Sequence, residues 1–174
     1  MMILIDMDEV LAAFTQKVAE TLWRETSYRI DFEEIKGKFL SKALPEELVA
    51  RVSEYPTRPG FFSDLEVLPG AAQALGCLQK KHHLVVVSAA LRHPICLYDK
   101  VLWLERHFPF LSREQIVFTD NKSLVKGDIL IDDHPKHLER FEGRRLLFSA
   151  WHNAHEQRFE RLDGWASAEA ILLS

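Results

Sequence analysis

The chain has 174 residues, 47% of them hydrophobic and 28% charged, which suits one compact domain with room for a small inserted unit. Its net charge of −4, with no Lys/Arg run longer than two, excludes grip on a long nucleic acid polymer by phosphate neutralisation; a single nucleotide needs only a local anion site. No window approaches the roughly 18 apolar residues of a membrane span, no basic region opens the chain, and Cys77 and Cys96 form no metal-binding pattern, so a cytoplasmic protein with buried free thiols is expected.

The first predicted element is a strand at Ile3-Leu4-Ile5 that runs straight into Asp6-Met7-Asp8-Glu9. Carboxylates at i and i+2 of an extended chain lean to the same side and repel, unless a cation or proton lies between them. Two readings are open here: an aspartate nucleophile with a neighbouring acid/base and a bound Mg²⁺, or an Asp-rich connection that caps the next helix. From Ala13 to about Asp64 only helical spacing follows, with Phe14, Val18, Ala19 and Leu22, then Leu44, Leu48, Val49 and Val52. Such a segment is far longer than an ordinary strand-to-helix link, and it is expected to form a small helical cap over the sheet edge.

Leu84-Val85-Val86-Val87, Ile116-Val117-Phe118, Ile129-Leu130-Ile131 and Leu146-Leu147-Phe148 read as four further strands. Helical patterns separate them: Ala71, Leu75 and Leu78 after Pro69-Gly70; Tyr98, Leu102 and Trp103 before Phe108-Pro109; Leu138 and Phe141 after Pro135; and a tail near Ser167 to Leu172. This alternation predicts an α/β fold, a Rossmann-like parallel sheet with helices on both faces and a helical cap inserted after the first strand. The core is expected over residues 1–12 and 66–174, the cap over 13–65.

The strand ends carry the chemistry. The second stops at Ser88, where the hydroxyl and the following amide of Ala89 either hold a phosphate oxygen or simply make a tight turn. The fourth stops at Asp132-Asp133, before His134-Pro135; Pro135 can start a helix and use one acid as its cap. Asp6, Asp8, Asp132 and Asp133 gathered on one edge would suit a hard cation of the Mg²⁺ type. A phosphate there also needs a fixed positive charge, for which Lys122 and Lys126 are both candidates. His134, His137, His152 and His155 lack the partners of a tetrahedral zinc site and are read as surface or hydrogen-bonding residues.

With an Asp-x-Asp, a serine ending the second strand, a lysine and a closing acidic pair, the chain resembles the haloacid dehalogenase-like phosphohydrolases. More narrowly it resembles their 5′(3′)-deoxyribonucleotidases, through Asp6-Met7-Asp8-Glu9-Val10-Leu11-Ala12, Pro59-Gly60-Phe61-Phe62, Leu65 to Ala71, Asp128 to Asp133 and Phe148 to Asn153. The resemblance spans nearly the whole chain and weakens between about Lys17 and Tyr55. It implies that the lysine ten residues before the acidic pair, Lys122, is the functional one. It further implies that Asp6 attacks phosphorus and that Asp8 is acid and then base, with its main-chain carbonyl on the metal. Ser88 and Lys122 would hold phosphate oxygens, and Asp132 and Asp133 would complete the metal shell. Phe14 and the Phe61-Phe62 region would line the base and sugar pocket; the alternative is that these aromatics are core residues, and one of Phe61 and Phe62 is read so, while Phe39 of the cap is a further candidate outside the well-matched stretches.

Three positions depart from the family's better-known pattern: Glu9 for a glycine, Ala13 for an aspartate, and Asp120 where some relatives carry an arginine. The expectation is a Mg²⁺-dependent phosphatase of deoxyribonucleoside monophosphates. The rival readings are a phosphatase of a sugar phosphate or other small phosphomonoester, and a non-catalytic nucleotide-binding protein on the same fold. The partner expected is the small-molecule substrate, with no polymer and no membrane; a homodimer is compatible with the sequence.

Overall fold

The computed structural model describes residues 1–173. Its centre is a six-stranded sheet in the order β3-β2-β1-β4-β5-β6, with every neighbouring pair parallel. The strands are β1 (Met2–Ile5), β2 (His83–Ser88), β3 (Ile116–Phe118), β4 (Ile129–Asp132), β5 (Arg144–Phe148) and β6 (Glu160–Leu162). Buried apolar runs form these strands because both faces are covered. Ile3, Ile5, Leu84, Val86, Ile129 and Ile131 enter one hydrophobic cluster, while Leu4, Val85, Val87, Leu130 and Leu147 enter another. That split is the period-two alternation of an extended chain.

The helices are α1 (Phe14–Thr26), α2 (Leu40–Ala43), α3 (Glu46–Glu54), α4 (Ala71–Leu78), α5 (Cys96–His107), α6 (Pro135–Glu139) and α7 (Ala168–Leu172). The first three lie in the long helical segment between β1 and β2, where among the described residues no strand occurs. That segment leaves and returns at one place. Ala12 and Val67 form an antiparallel bridge, Leu68 N–H donates to the Leu11 carbonyl at 2.8 Å, and Ala13 N–H donates to the Glu66 carbonyl at 2.9 Å. Two buried indoles fasten it, since Trp103 Nε1 donates to the Leu65 carbonyl and Trp165 Nε1 to the Val10 carbonyl.

Two details differ from the sequence reading. β6 has no counterpart in it, because Glu160-Arg161-Leu162 is three residues long, two of them charged, as a short protected edge strand is. α6 stops at Glu139, so Phe141 is buried beyond the helix rather than on it. Among the described residues no helix is long and apolar enough to cross a membrane. Cys96 is buried and Cys77 partly so, and the two are not bonded.

From β1 the chain winds outward through β2 and β3, then returns to β4 on the other side of β1. The crevice between the C-terminal ends of β1 and β4 is therefore the switch point of the sheet, where open α/β folds bind ligands.

Candidate active site

The register of the sheet brings the acids together. Ile5 pairs with both Val86 and Ile131, and Asp6 N–H donates to the Ile131 carbonyl at 2.9 Å, so Asp6 stands beside Asp132 at the switch point. Carboxylate oxygens of Asp6, Asp132 and Asp133 lie within 4.8 Å of one another, and all three residues are buried. Lys122 reaches them from the short turn Lys122–Leu124, a turn held by Asn121, whose side chain accepts from Ser123 N–H. The buried Lys122 ammonium donates to Asp132 Oδ2 at 2.6 Å and also to Asp6 Oδ1. Lys126 is exposed.

The acidic pair is held from behind. His134 N–H donates to Asp132 Oδ1 at 2.8 Å, and His137 Nδ1 lies 3.0 Å from Asp132 Oδ2. Asn153 Nδ2 donates to the Asp133 carbonyl at 2.8 Å, and His152 Nε2 lies 3.1 Å from Asp133 Oδ2. His137 and His152 are thus hydrogen-bonding residues of the site.

Three buried acids lie together, one lysine pairs with two of them, Asp6 and Asp132, and their protonation reflects it. Burial raises the Asp6 carboxyl to about 7, with Asp132, Asp133 and Asp8 adding repulsion and Lys122 opposing them. Burial, Asp132 and Glu9 likewise push Asp133 well above the usual carboxylate range. For Asp132 burial acts upward too, but Lys122 and His137 outweigh it and hold the carboxyl below its ordinary value. Lys122 is raised in turn, because Asp132 and Asp6 more than offset its desolvation. An all-oxygen donor set with uncompensated negative charge fits a hard divalent cation.

The second half of the site is the Asp8 side. Ser88 is buried at the end of β2, and Lys100 of α5 bridges it to Asp8. Lys100 was not foreseen. Its signal lies in the helix pattern, because Cys96, Lys100 and Trp103 at i, i+4 and i+7 form one buried face. A lysine in an apolar stripe calls for a partner elsewhere in the fold. Ala89 follows Ser88 at the surface.

A cavity of about 340 Å³ opens above the acids. Asp6, Asp8, Glu9 and Asp133 line it, with Phe14, Phe39, Trp151, His134, His137 and His152 around them. Phe39 stands just before α2, stacked on His134 with ring centroids 4.8 Å apart and tilted against His152 at 4.6 Å. Of four buried polar side-chain atoms without a partner among the described residues, Asp8 Oδ1, His137 Nε2 and Trp151 Nε1 belong to residues of this lining. Neither Phe61 nor Phe62, one of which is expected at the pocket and the other in the core, is among its lining residues. Both are core side chains, with Phe62 stacked on Phe14 and Phe61 on Tyr55, because the chain returning from the helical segment packs them inward.

The structure also accounts for two departures together. Ala13 precedes α1 and has no side chain to cap it, while Glu9 Oε1 accepts the Thr15 N–H at 2.5 Å. Glu9 thus supplies from the preceding turn the acceptor that an aspartate in place of Ala13 would offer. It does so from a left-handed backbone, φ 59°, where glycine would be unstrained. Asp120 faces Arg92 at 3.8 Å near the surface.

A family model described as 5′ nucleotidase, deoxy (pyrimidine), cytosolic type C protein matches residues 1–174. A 5′(3′)-deoxyribonucleotidase of Clostridium acetobutylicum is 39% identical over 138 residues, 79% of this chain and 76% of that protein. One of Bacillus subtilis is 41% identical over 112 residues, 64% of this chain and 65% of that protein. Among solved structures, a HAD family hydrolase of Deinococcus radiodurans crystallised with phosphate and sodium shares the fold at 16% identity, with a TM-score of 0.61 over 98% of this chain and 93% of that one.

Proposed function

Since the chain belongs to the family of 5′ nucleotidase, deoxy (pyrimidine), cytosolic type C proteins, and so is a phosphate-ester hydrolase of the nucleotidase kind, we propose that it dephosphorylates deoxyribonucleoside 5′(3′)-monophosphates through an aspartyl-phosphate. The reading places it in the cytoplasm, with residues 13–65 as a cap over a core of 1–12 and 66–174. One observation carries the chemistry: Asp6, Asp132, Asp133 and Lys122 converge at the switch point of the sheet, beneath a cavity roofed by Phe39.

An oxygen of Asp6 attacks phosphorus, and the bond from phosphorus to the nucleoside oxygen breaks with its electron pair on that oxygen. Asp8 gives that oxygen a proton, so the nucleoside departs as an alcohol. Water then attacks the aspartyl-phosphate, passes its proton to Asp8 and releases phosphate, which restores Asp6. Lys122 and Ser88, with the amide of Ala89, hold the phosphoryl oxygens. Such catalysis consists mostly of positioning and charge neutralisation. Asp6, Asp132 and Asp133, with the main-chain carbonyl of Asp8, would hold Mg²⁺, whose charge keeps the buried acids ionised and offsets that of the phosphoryl group. The base lies against Phe39 and Phe14 in the cavity.

The test is phosphate release from dUMP by the purified protein with Mg²⁺, set against a panel of sugar phosphates. The Asp6→Asn protein is expected to be inactive. Turnover that survives this change removes Asp6 as nucleophile, and sugar phosphates ranking level with dUMP remove the nucleotide assignment.

A further inference from the structure

The family match and the four motifs leave Lys100 without a role, although it is among the most buried charged residues of the molecule. Its side chain is 1% exposed, against 31% for that of Asp8. Its ammonium donates to Asp8 Oδ2 at 2.5 Å and to Ser88 Oγ at 3.2 Å, and it lies 4.5 Å from the centre of the Phe62 ring. The other Asp8 oxygen, Oδ1, is buried and has no partner among the described residues. A lysine ammonium has three donors and no acceptor. The Asp8 oxygen bonded to it is therefore held as an acceptor, which fixes the orientation of the carboxyl.

We propose that Lys100 is a positioning residue which holds the Asp8 carboxyl by Oδ2 and ties it to Ser88, so that the carboxyl meets the reacting phosphate in one fixed orientation. The inference rests on the proposed phosphatase reaction. In its first half the proton leaves the Asp8 carboxyl for the nucleoside oxygen as the bond to phosphorus breaks; in its second half that carboxyl takes a proton from the attacking water. Lys100 itself gains and loses nothing. Its parallel bond to Ser88 ties the carboxyl to the end of β2, so the acid and the phosphate-binding hydroxyl share one reference point. Phe62, stacked on Phe14 beneath the ammonium, fixes the height of that point. An orienting group of this kind acts through its partner, as the third member of a catalytic triad does.

The experiment compares two esters. dUMP loses an alkoxide, which needs a proton from the acid, whereas p-nitrophenyl phosphate loses a stable phenolate, which does not. With Lys100→Met, kcat/KM on dUMP is expected to fall by about a hundredfold, the scale of a general acid's contribution, with the aryl ester changed by less than about threefold. In an Asp8→Asn background the same change should cost dUMP turnover almost nothing more, because two residues acting through one proton are not additive. The rise in melting temperature on adding Mg²⁺ should persist in Lys100→Met. Equal losses on both esters, additive losses in the double variant, or a vanished Mg²⁺ response would each overturn the inference and leave the phosphatase reading standing. Wild-type protein inactive on both esters would remove that reading, and the inference with it. If Lys100→Met does not fold, Lys100→Arg decides: it keeps a buried cation but moves the donor from Oδ2, so the dUMP-to-aryl ratio should fall, and an unchanged ratio refutes the role.

Discussion

Replacing Glu9 separates two opposed effects that the turn after β1 combines. The Glu9 carboxylate accepts the Thr15 N–H at 2.5 Å and so caps α1, and loss of such a cap costs about 1–2 kcal/mol. Its backbone stands at φ 59°, where a residue with a Cβ is disfavoured by about 1–2 kcal/mol. Glu9→Ala loses the cap and keeps the strain, so it should destabilise by about 1–2 kcal/mol, or roughly 2–8 °C in melting temperature for a chain of this size. Glu9→Gly loses the same cap but relieves the strain, and should recover about 1 kcal/mol of that loss. Ala13→Asp added to Glu9→Ala puts an acceptor back at the helix start and should restore about 1 kcal/mol. The pH dependence has a definite sign. Burial raises the Glu9 carboxyl above its ordinary 4.5, opposed by the Thr15 hydrogen bonds, so wild type loses stability as pH climbs from 4.5 toward the folded value. The deficit of Glu9→Ala should therefore be smaller at pH 8 than at pH 5. Thermal melts of the four proteins, followed by circular dichroism, decide the matter. A glycine variant that melts no higher than the alanine variant, or an Ala13→Asp change that fails to compensate, would refute the account of the paired departures.

Other expectations follow from the same geometry. With Asp6 raised to about 7 by burial and Asp133 raised also, protons compete with a cation at the acidic triad, so the gain in melting temperature on adding Mg²⁺ should be larger at pH 8 than at pH 5. A gain that does not depend on pH would argue against binding at that triad. Phe39 is 38% exposed at the cavity, whereas Phe61 is buried in the core. Phe39→Ala should raise KM for dUMP by roughly tenfold to a hundredfold, with deoxyribose 5-phosphate little affected. Phe61→Ala should instead cost about 3–5 kcal/mol of stability, read by denaturant unfolding.

The parts of the fold that the sequence made legible are those written in short-range pattern. β1, β2, β4 and the second half of β5 carry apolar runs because a strand covered on both faces has no polar side, and the acids at the ends of β1 and β4 break that rule visibly. β6 escaped notice because an edge strand has little apolar surface to declare, and its Arg161 is occupied instead with the carbonyls of Asn153 and Glu156. Phe61 and Phe62 could be placed near the return from the helical segment, but the direction of their rings depends on packing against Tyr55 and Phe14.

The Asp6-Met7-Asp8 turn and the acidic pair are determined by sequence alone, since their residue types and their places after apolar strands already specify which groups could meet on the edge of a parallel sheet, whereas the residues leave Lys122 and Lys126 alike and only the family resemblance singles out Lys122. What only the tertiary structure decided is how charge is shared among them. Lys122 goes to Asp6 and Asp132, Lys100 to Asp8 and Ser88, and Asp133 remains without a lysine among the described residues. No sequence pattern gives that division, because a buried ammonium pairs with whichever carboxylates the strand register and the helix face bring within about 3 Å of it. Asp8 and Lys100 are 92 residues apart in the chain, and they meet only because β1 and β2 are neighbours in the sheet and α5 packs its buried face over the end of β2.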